Sequence, residues 1–182
     1  MGTTKAQKHE IGFSYSPFSF YGFEKFVDDA ISNEGSYRFI GALNFDYYYY
    51  VKPRLKIGIS AMHDKATEEG HATPKNNRSN YPVYQQNTKR DYKATKSTYV
   101  IAPQIEYEYV KTNRFALCSG LSIGYAHETY TDKDFLSYDV FVDGLTYHIN
   151  LLGFKWGNKY GLSGNCGYGY KGLINIGCFI RL

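Results

Sequence analysis

The sequence predicts an all-β chain of eight antiparallel strands closed up-and-down into a barrel. Three observations carry that expectation: near-continuous alternation of apolar with small or polar residues, strands far longer than usual, and connections that are short at one end and long at the other. The chain has 182 residues, enough for one domain and short for two. Residues 1–8 read as an N-terminal tail and 9–182 as the single barrel domain. With 43% hydrophobic and 18% aromatic residues, including 20 Tyr and 12 Phe against 5 Pro, a disordered or collagen-like chain is excluded. No stretch approaches the roughly 18 consecutive apolar residues of a membrane helix. The mean hydropathy of −0.47 nonetheless suits a membrane β-barrel, whose strands are apolar only at alternate positions.

The first strand is expected over 9–17. The second, 37–51, places Tyr37, Phe39, Leu43, Phe45, Tyr47, Tyr49 and Val51 on one face and Arg38, Ala42, Asn44, Asp46 and Tyr48 on the other. Comparable runs follow at 55–64, 98–110, 115–127, 145–154, 160–168 and 172–182. Connections at 52–54, 111–114 and 155–159 are turn-sized, and a last tight hairpin lies near Tyr170-Lys171. Long connections are expected at 18–36, 65–97 and 128–144. In the first of these, Phe23, Phe26, Val27, Ala30 and Ile31 follow the spacing of a short amphipathic helix, suited to a lid or an interfacial float.

Which face points outward decides between a soluble carrier and a transmembrane barrel. The more polar face is mainly small, as in Gly12, Ser14 and Ser16, or Ala116, Gly120, Ser122, Gly124 and Ala126, which fits a cramped lumen rather than a hydrated exterior. The other face is large and apolar, as in Ile101, Ile105 and Tyr107, or Ile174, Ile176, Ile180 and Leu182. Reversing strand two would aim Arg38 and Asp46 at lipid, costing about 2–4 kcal/mol for a midplane Arg and less for the acid. The expectation is therefore a transmembrane barrel with short periplasmic turns and long extracellular loops. Tyr47 to Tyr50, with Tyr107 and Tyr109, stand beside the short turns, where aromatic rings mark an interface.

On these features, and on Lys159-Tyr160-Gly161-Leu162 leading into the 167–177 stretch, the chain resembles the small eight-stranded outer-membrane β-barrels of Gram-negative bacteria. Outer-membrane proteins A and X typify that group, and the likeness, closest to the outer-membrane protein β-barrel domain families, spans nearly all of the sequence. The last strand of these families usually ends in an aromatic residue, whereas here it ends Phe179-Ile180-Arg181-Leu182. The resemblance implies a location in the cell outer membrane among lipid and lipopolysaccharide. Members serve adhesion, host interaction, structure and, in a few cases, catalysis, so location is implied more sharply than activity.

Several motifs have plainer readings. Residues 167–172 match the dinucleotide pattern G-x-G-x-x-G, but a strand follows and no acid stands ~20 residues on, so the glycines are read as hairpin residues. A lipid-modifying hydrolase would need a Ser/His/acid arrangement, and neither His148, followed two residues on by Asn150, nor His127 supplies the spacing. No catalytic residue, cofactor or metal ligand is assigned, and Cys118, Cys166 and Cys178 lie in no metal spacing. The net charge of +4 does not point to nucleic acid.

The charged lumen candidates are Glu10, Arg38, Asp46, Lys56, Glu106, Glu108 and Arg181, which must pair in a poorly hydrated interior. Topology places Glu10, Asp46, Lys56, Glu108 and Arg181 near the short-turn rim. The extracellular candidates are Lys75, Arg78, Tyr81, Tyr84, Lys89, Arg90, Tyr92 and Lys93 in the 65–96 stretch, which carries seven Lys/Arg against three Asp/Glu. Interleaved tyrosines and cations suit sugars and phosphates, as on lipopolysaccharide or a host or surface glycan. The plainer alternative continues strands three and four as a solvated hairpin. The function expected is a monomeric, non-enzymatic surface-binding, adhesion or structural barrel with a closed polar lumen. The alternatives are a small-barrel enzyme acting on outer-membrane lipid and a lipid- or hydrophobic-ligand-binding barrel.

Overall fold

A computed structural model describes residues 8–17, 36–72, 90–132 and 140–182. Eight antiparallel strands form a closed barrel in sequence order: β1 (His9–Ser16), β2 (Ser36–Lys52), β3 (Leu55–Ala72), β4 (Arg90–Lys111), β5 (Phe115–Asp132), β6 (Val140–Gly157), β7 (Tyr160–Gly169) and β8 (Ile174–Arg181). Closure runs through β1 and β8, where Glu10 faces Arg181 and Tyr15 faces Ile176. Every strand therefore has two partners and the sheet closes on itself, although the long strands run past their shorter neighbours, β6 pairing with β7 only from His148 onward.

The wall is uneven in height. β1, β7 and β8 have 8 to 10 residues, whereas β4 has 22 and β3, β5 and β6 have 18 each. A tilted membrane strand needs about 9–11 residues, so roughly half of β4 lies beyond what a bilayer would cover. The 65–96 stretch is thus strand at 65–72 and 90–96, with Glu69 opposite Lys93 and Ala72 opposite Arg90. The amphipathic segment at 23–31 lies outside the described residues.

Glycines make the turns and the narrow places. Gly169 (φ 131°) and Gly172 (φ 87°) hold the β7–β8 hairpin, closed by a 2.8 Å bond from Gly172 N to Gly169 O, so the 167–172 motif is hairpin geometry. At Gly120, a methyl group would stand 2.8 Å from Ile105 O. The adjoining strand β4, whose Glu106 is paired with Gly120, leaves no room for it.

The outward face is apolar around the whole circumference. Phe13, Phe45, Ile59, Ile101, Ile123, Ile149, Leu162 and Ile176, one from each strand, are all exposed, Ile101 to 62%. Exposed aromatic residues cluster at two levels. Tyr49, Tyr107, Phe154, Trp156 and Tyr160 stand toward the short turns, and Tyr15, Tyr99, Tyr125, Tyr147 and Tyr168 toward the long connections. Along β4 the spacing from Tyr107 to Tyr99 is roughly 20 Å, allowing about 3.3 Å per residue and a tilt of about 40°.

Candidate functional site: a charged plug inside the barrel

The interior is built from the alternate residues of each strand, and the buried set is dominated by polar groups: Glu10, Asn44, Lys56, Ser60, Asp64, Thr98, Gln104, Glu106, Glu108, His148, Lys155, Lys171, Asn175 and Arg181. Register explains which of them meet. Lys56 on β3 lies directly across from Glu106 on β4, and Glu10 on β1 across from Arg181 on β8, so neighbouring strands deliver opposite charges to one level.

At that level Lys56 Nζ lies 2.5 Å from Glu10, 2.7 Å from Glu106 and 3.6 Å from Glu108. Lys155 reaches the same cluster from β6, pairing with Glu10 and lying 2.9 Å from Glu106. Arg181 Nε donates to Glu10 at 2.8 Å and its guanidinium lies 3.7 Å from Glu108. Lys111, at the rim, caps Glu108 at 2.6 Å. Three carboxylates are thus matched by four cations. A buried charge is costly alone, and this density of mutual partners is what lets all of them remain inside.

Tyrosines fill the remaining space. The Tyr50 hydroxyl lies 2.7 Å from Glu108 and 3.0 Å from Glu10, and the Tyr48 hydroxyl lies 3.1 Å from both Gln104 and Glu106. Lys56 Nζ also sits 4.3 Å from the centre of the Tyr48 ring. This corrects the expectation that Tyr47 to Tyr50 act together as an interface belt. Only Tyr47 and Tyr49 point outward, because a strand sends successive side chains to opposite faces.

A second cluster lies on the loop side of the first. Asp46 is not joined to the rim group. It pairs with Lys171 at 2.6 Å and accepts a 3.0 Å bond from Gln104, which also receives a 3.1 Å bond from Lys171. Across the bore, Asn44 donates to Asn175 and Asn175 to Asn165, each at 3.0 Å. His148 is buried edge-on to Tyr170, with ring centres 5.7 Å apart. The space left among these groups is a cavity of about 50 Å³, bordered by Asp46, Gln104, Glu106, Ser122, His148 and Lys171.

Of the lumen candidates, Glu10, Lys56, Glu106, Glu108 and Arg181 come together, and Asp46 stands apart with Lys171. The Arg38 backbone pairs with Thr67 beyond a register shift, and its side chain lies outside the described residues. Lys155 and Lys171 are the residues that pattern reading missed, having been placed in turns. For Lys155 the cause is a bulge. Between Asn150 and Gly153 on β6 there is one residue more than between Gly120 and Cys118 on β5, so Leu151 and Leu152 both face outward and the alternation changes phase. Gly153 and Lys155 then face inward. Lys171 leaves a hairpin yet turns back into the bore, where Asp46 holds it. The signal available for both was the surplus of lumenal acids over the lumenal bases assigned.

At the long-connection rim, His127 Nδ1 lies 2.6 Å from Asp143, and this bond holds the Asp143 carboxyl below its usual range. Among the extracellular candidates, Arg90, Tyr92 and Lys93 fall on the far end of β4, paired with Ala72, Gly70 and Glu69. Lys75, Arg78, Tyr81, Tyr84 and Lys89 lie outside the described residues.

No protein-family profile matches this chain, and no curated protein matches it. Among solved structures, it is similar to the N-terminal β-barrel domain of Pseudomonas aeruginosa OprF. That likeness covers 97% of this chain and 98% of the other, at 12% identity and a TM-score of 0.47. The barrel assignment rests on the chain's own strand pairing.

Proposed function

We propose that this chain is a monomeric outer-membrane β-barrel protein with a plugged lumen, acting as a non-enzymatic surface-binding or structural scaffold. One observation carries the reading: the closed barrel is inside-out, with its large apolar side chains exposed on every strand and its charges paired within. In water such an exterior would far exceed the apolar patch that soluble monomers tolerate, whereas in lipid it is the matching surface. The two levels of exposed aromatic rings support the same reading, their separation fitting the roughly 25 Å apolar band of such barrels. On this assignment the lipid-covered part of β6 is about 145–155, and the His127–Asp143 pair lies beyond it.

The test is fractionation of native cells with surface proteolysis, followed by electrophoresis of heated and unheated samples. Detergent-dependent extraction and a heat-dependent mobility shift are expected. Intact monomer recovered from the cytosol without detergent overturns the proposal.

The scaffold role draws on the height of β3 to β6, which carries a sheet away from the bilayer. Its far connection is proposed to meet the sugars and phosphates of lipopolysaccharide or a surface glycan. Replacing Tyr81, Tyr84 and Tyr92 by Ala keeps every charge. Loss of binding to polyanionic glycans is expected, and unchanged binding leaves only electrostatic attraction.

A further inference from the structure

The short-turn rim carries a charge pattern that the plug does not use. Lys8, Lys52, Arg54, Lys111, Arg114 and Lys159 are all exposed there. The exposed side chains of this rim include no Asp or Glu among the described residues, because Glu10, Glu106 and Glu108 are turned inward and buried. Lys111 is committed to Glu108 and to Pro53 O. Lys52, Arg54, Arg114 and Lys159 have no acidic partner among the described residues. They are spread over the three successive turns β2–β3, β4–β5 and β6–β7, so the positive charge forms a partial collar rather than a point.

The depth of the collar is set by its neighbours. The turns follow directly on the exposed rings of Tyr49, Tyr107, Phe115, Trp156 and Tyr160, residues that combine an apolar body with a position at the end of the apolar wall. Rings of this kind settle at the boundary between acyl chains and headgroups, so cations one step farther out lie at the level of lipid phosphates. A cation there gains from a net negative headgroup and gains little from a zwitterionic one, whose ammonium cancels the phosphate.

We propose that this collar selects anionic phospholipids, with phosphatidylglycerol-type headgroups held by Lys52, Arg54, Arg114 and Lys159 in the leaflet next to the short turns. The inference rests on the membrane reading above. It adds a lipid preference that an apolar wall alone does not produce.

The chain contains its own probe, since Trp156 is its single tryptophan and stands exposed beside the collar. The full chain is reconstituted in phosphatidylcholine vesicles containing equal fractions of acyl-brominated phosphatidylglycerol or acyl-brominated phosphatidylcholine, and Trp156 quenching is measured. Brominated phosphatidylglycerol is expected to occupy the sites around Trp156 about threefold more than its bulk fraction, an advantage that high salt should screen. The variant K52Q/R54Q/R114Q/K159Q, with its fold checked by the heat-dependent mobility shift, is expected to quench equally with both lipids. K52R/K159R, which keeps the charge, is expected to retain the preference. Equal quenching of the native protein by both brominated lipids overturns the collar while leaving the membrane reading intact. Absence of quenching by either lipid overturns the membrane reading itself.

Discussion

Lys56 Nζ lies 2.5 Å from Glu10 Oε1, and the two side chains are 0% and 1% exposed. Strands β1 and β3 are not neighbours, so the pair ties the wall across β2 and joins residues 46 positions apart. Glu10 is the centre of the plug, because Lys155 and Arg181 meet it as well. Replacing Glu10 by Gln takes one acidic partner from three buried cations at once and leaves four cations to two carboxylates. The expected cost is about 3–5 kcal/mol in urea unfolding from lipid vesicles. A double variant, E10Q/K56M, should recover part of that loss, because one of the cations that lost Glu10 is removed with it and the surplus of buried positive charge falls. Purely additive losses would show that the pair is not coupled.

The plug also bears on conduction. The cavity of about 50 Å³ among Asp46, Gln104, His148 and Lys171 holds a few water molecules rather than a continuous column. Purified monomer in planar bilayers is expected to give no stable single-channel current. Large, steady currents from native monomer would mean that the Asp46–Lys171–Gln104 cluster opens.

The β6 bulge makes a prediction about deletions. Removing Leu151 restores one-to-one pairing with β5 and β7 and leaves Gly153 and Lys155 facing inward, so a heat-modifiable barrel is expected. Removing Phe154 instead turns Lys155 outward to lipid and Trp156 inward, at about 2–4 kcal/mol for the exposed cation alone. Loss of the folded band is expected for the second deletion only. Equal behaviour of the two would show that facing is not set by this phase change.

Facing can be checked directly. Labels at Phe45, Ile105 and Ile176 should be reached by a quencher dissolved in the lipid phase, and labels at Asn44, Asp46 and Glu106 should not. Quenching of the second group would reverse the inside and outside of the barrel.

The outer rim supplies a pH dependence. The hydrogen bond from His127 keeps the folded Asp143 carboxyl below its ordinary value. A depressed carboxyl contributes stability that is present above the unfolded value, about 3.9, and is lost as pH falls through the folded one. Carboxyl titration followed by NMR should show Asp143 moving upward toward the ordinary range in H127F. An unmoved titration would remove His127 as the cause.

Much of the barrel was legible in the sequence because a strand half-buried against another phase writes its two faces into alternate residues. Tyr37 to Val51 announces one strand, and the small residues from Ala116 to Ala126 announce a narrow bore. The same rule yielded the inward positions of Glu10, Lys56, Glu106, Glu108 and Arg181, although not their partners. What only the tertiary structure decided are the phase changes and the cross-bore contacts. A bulge at Leu151 and Leu152 turns Lys155 into the lumen, and a hairpin folds Lys171 back onto Asp46. Alternation is a property of one strand and its immediate ladder. Where one residue is added to a strand, and which charges then meet across the barrel, depends on registers shared by all eight strands at once.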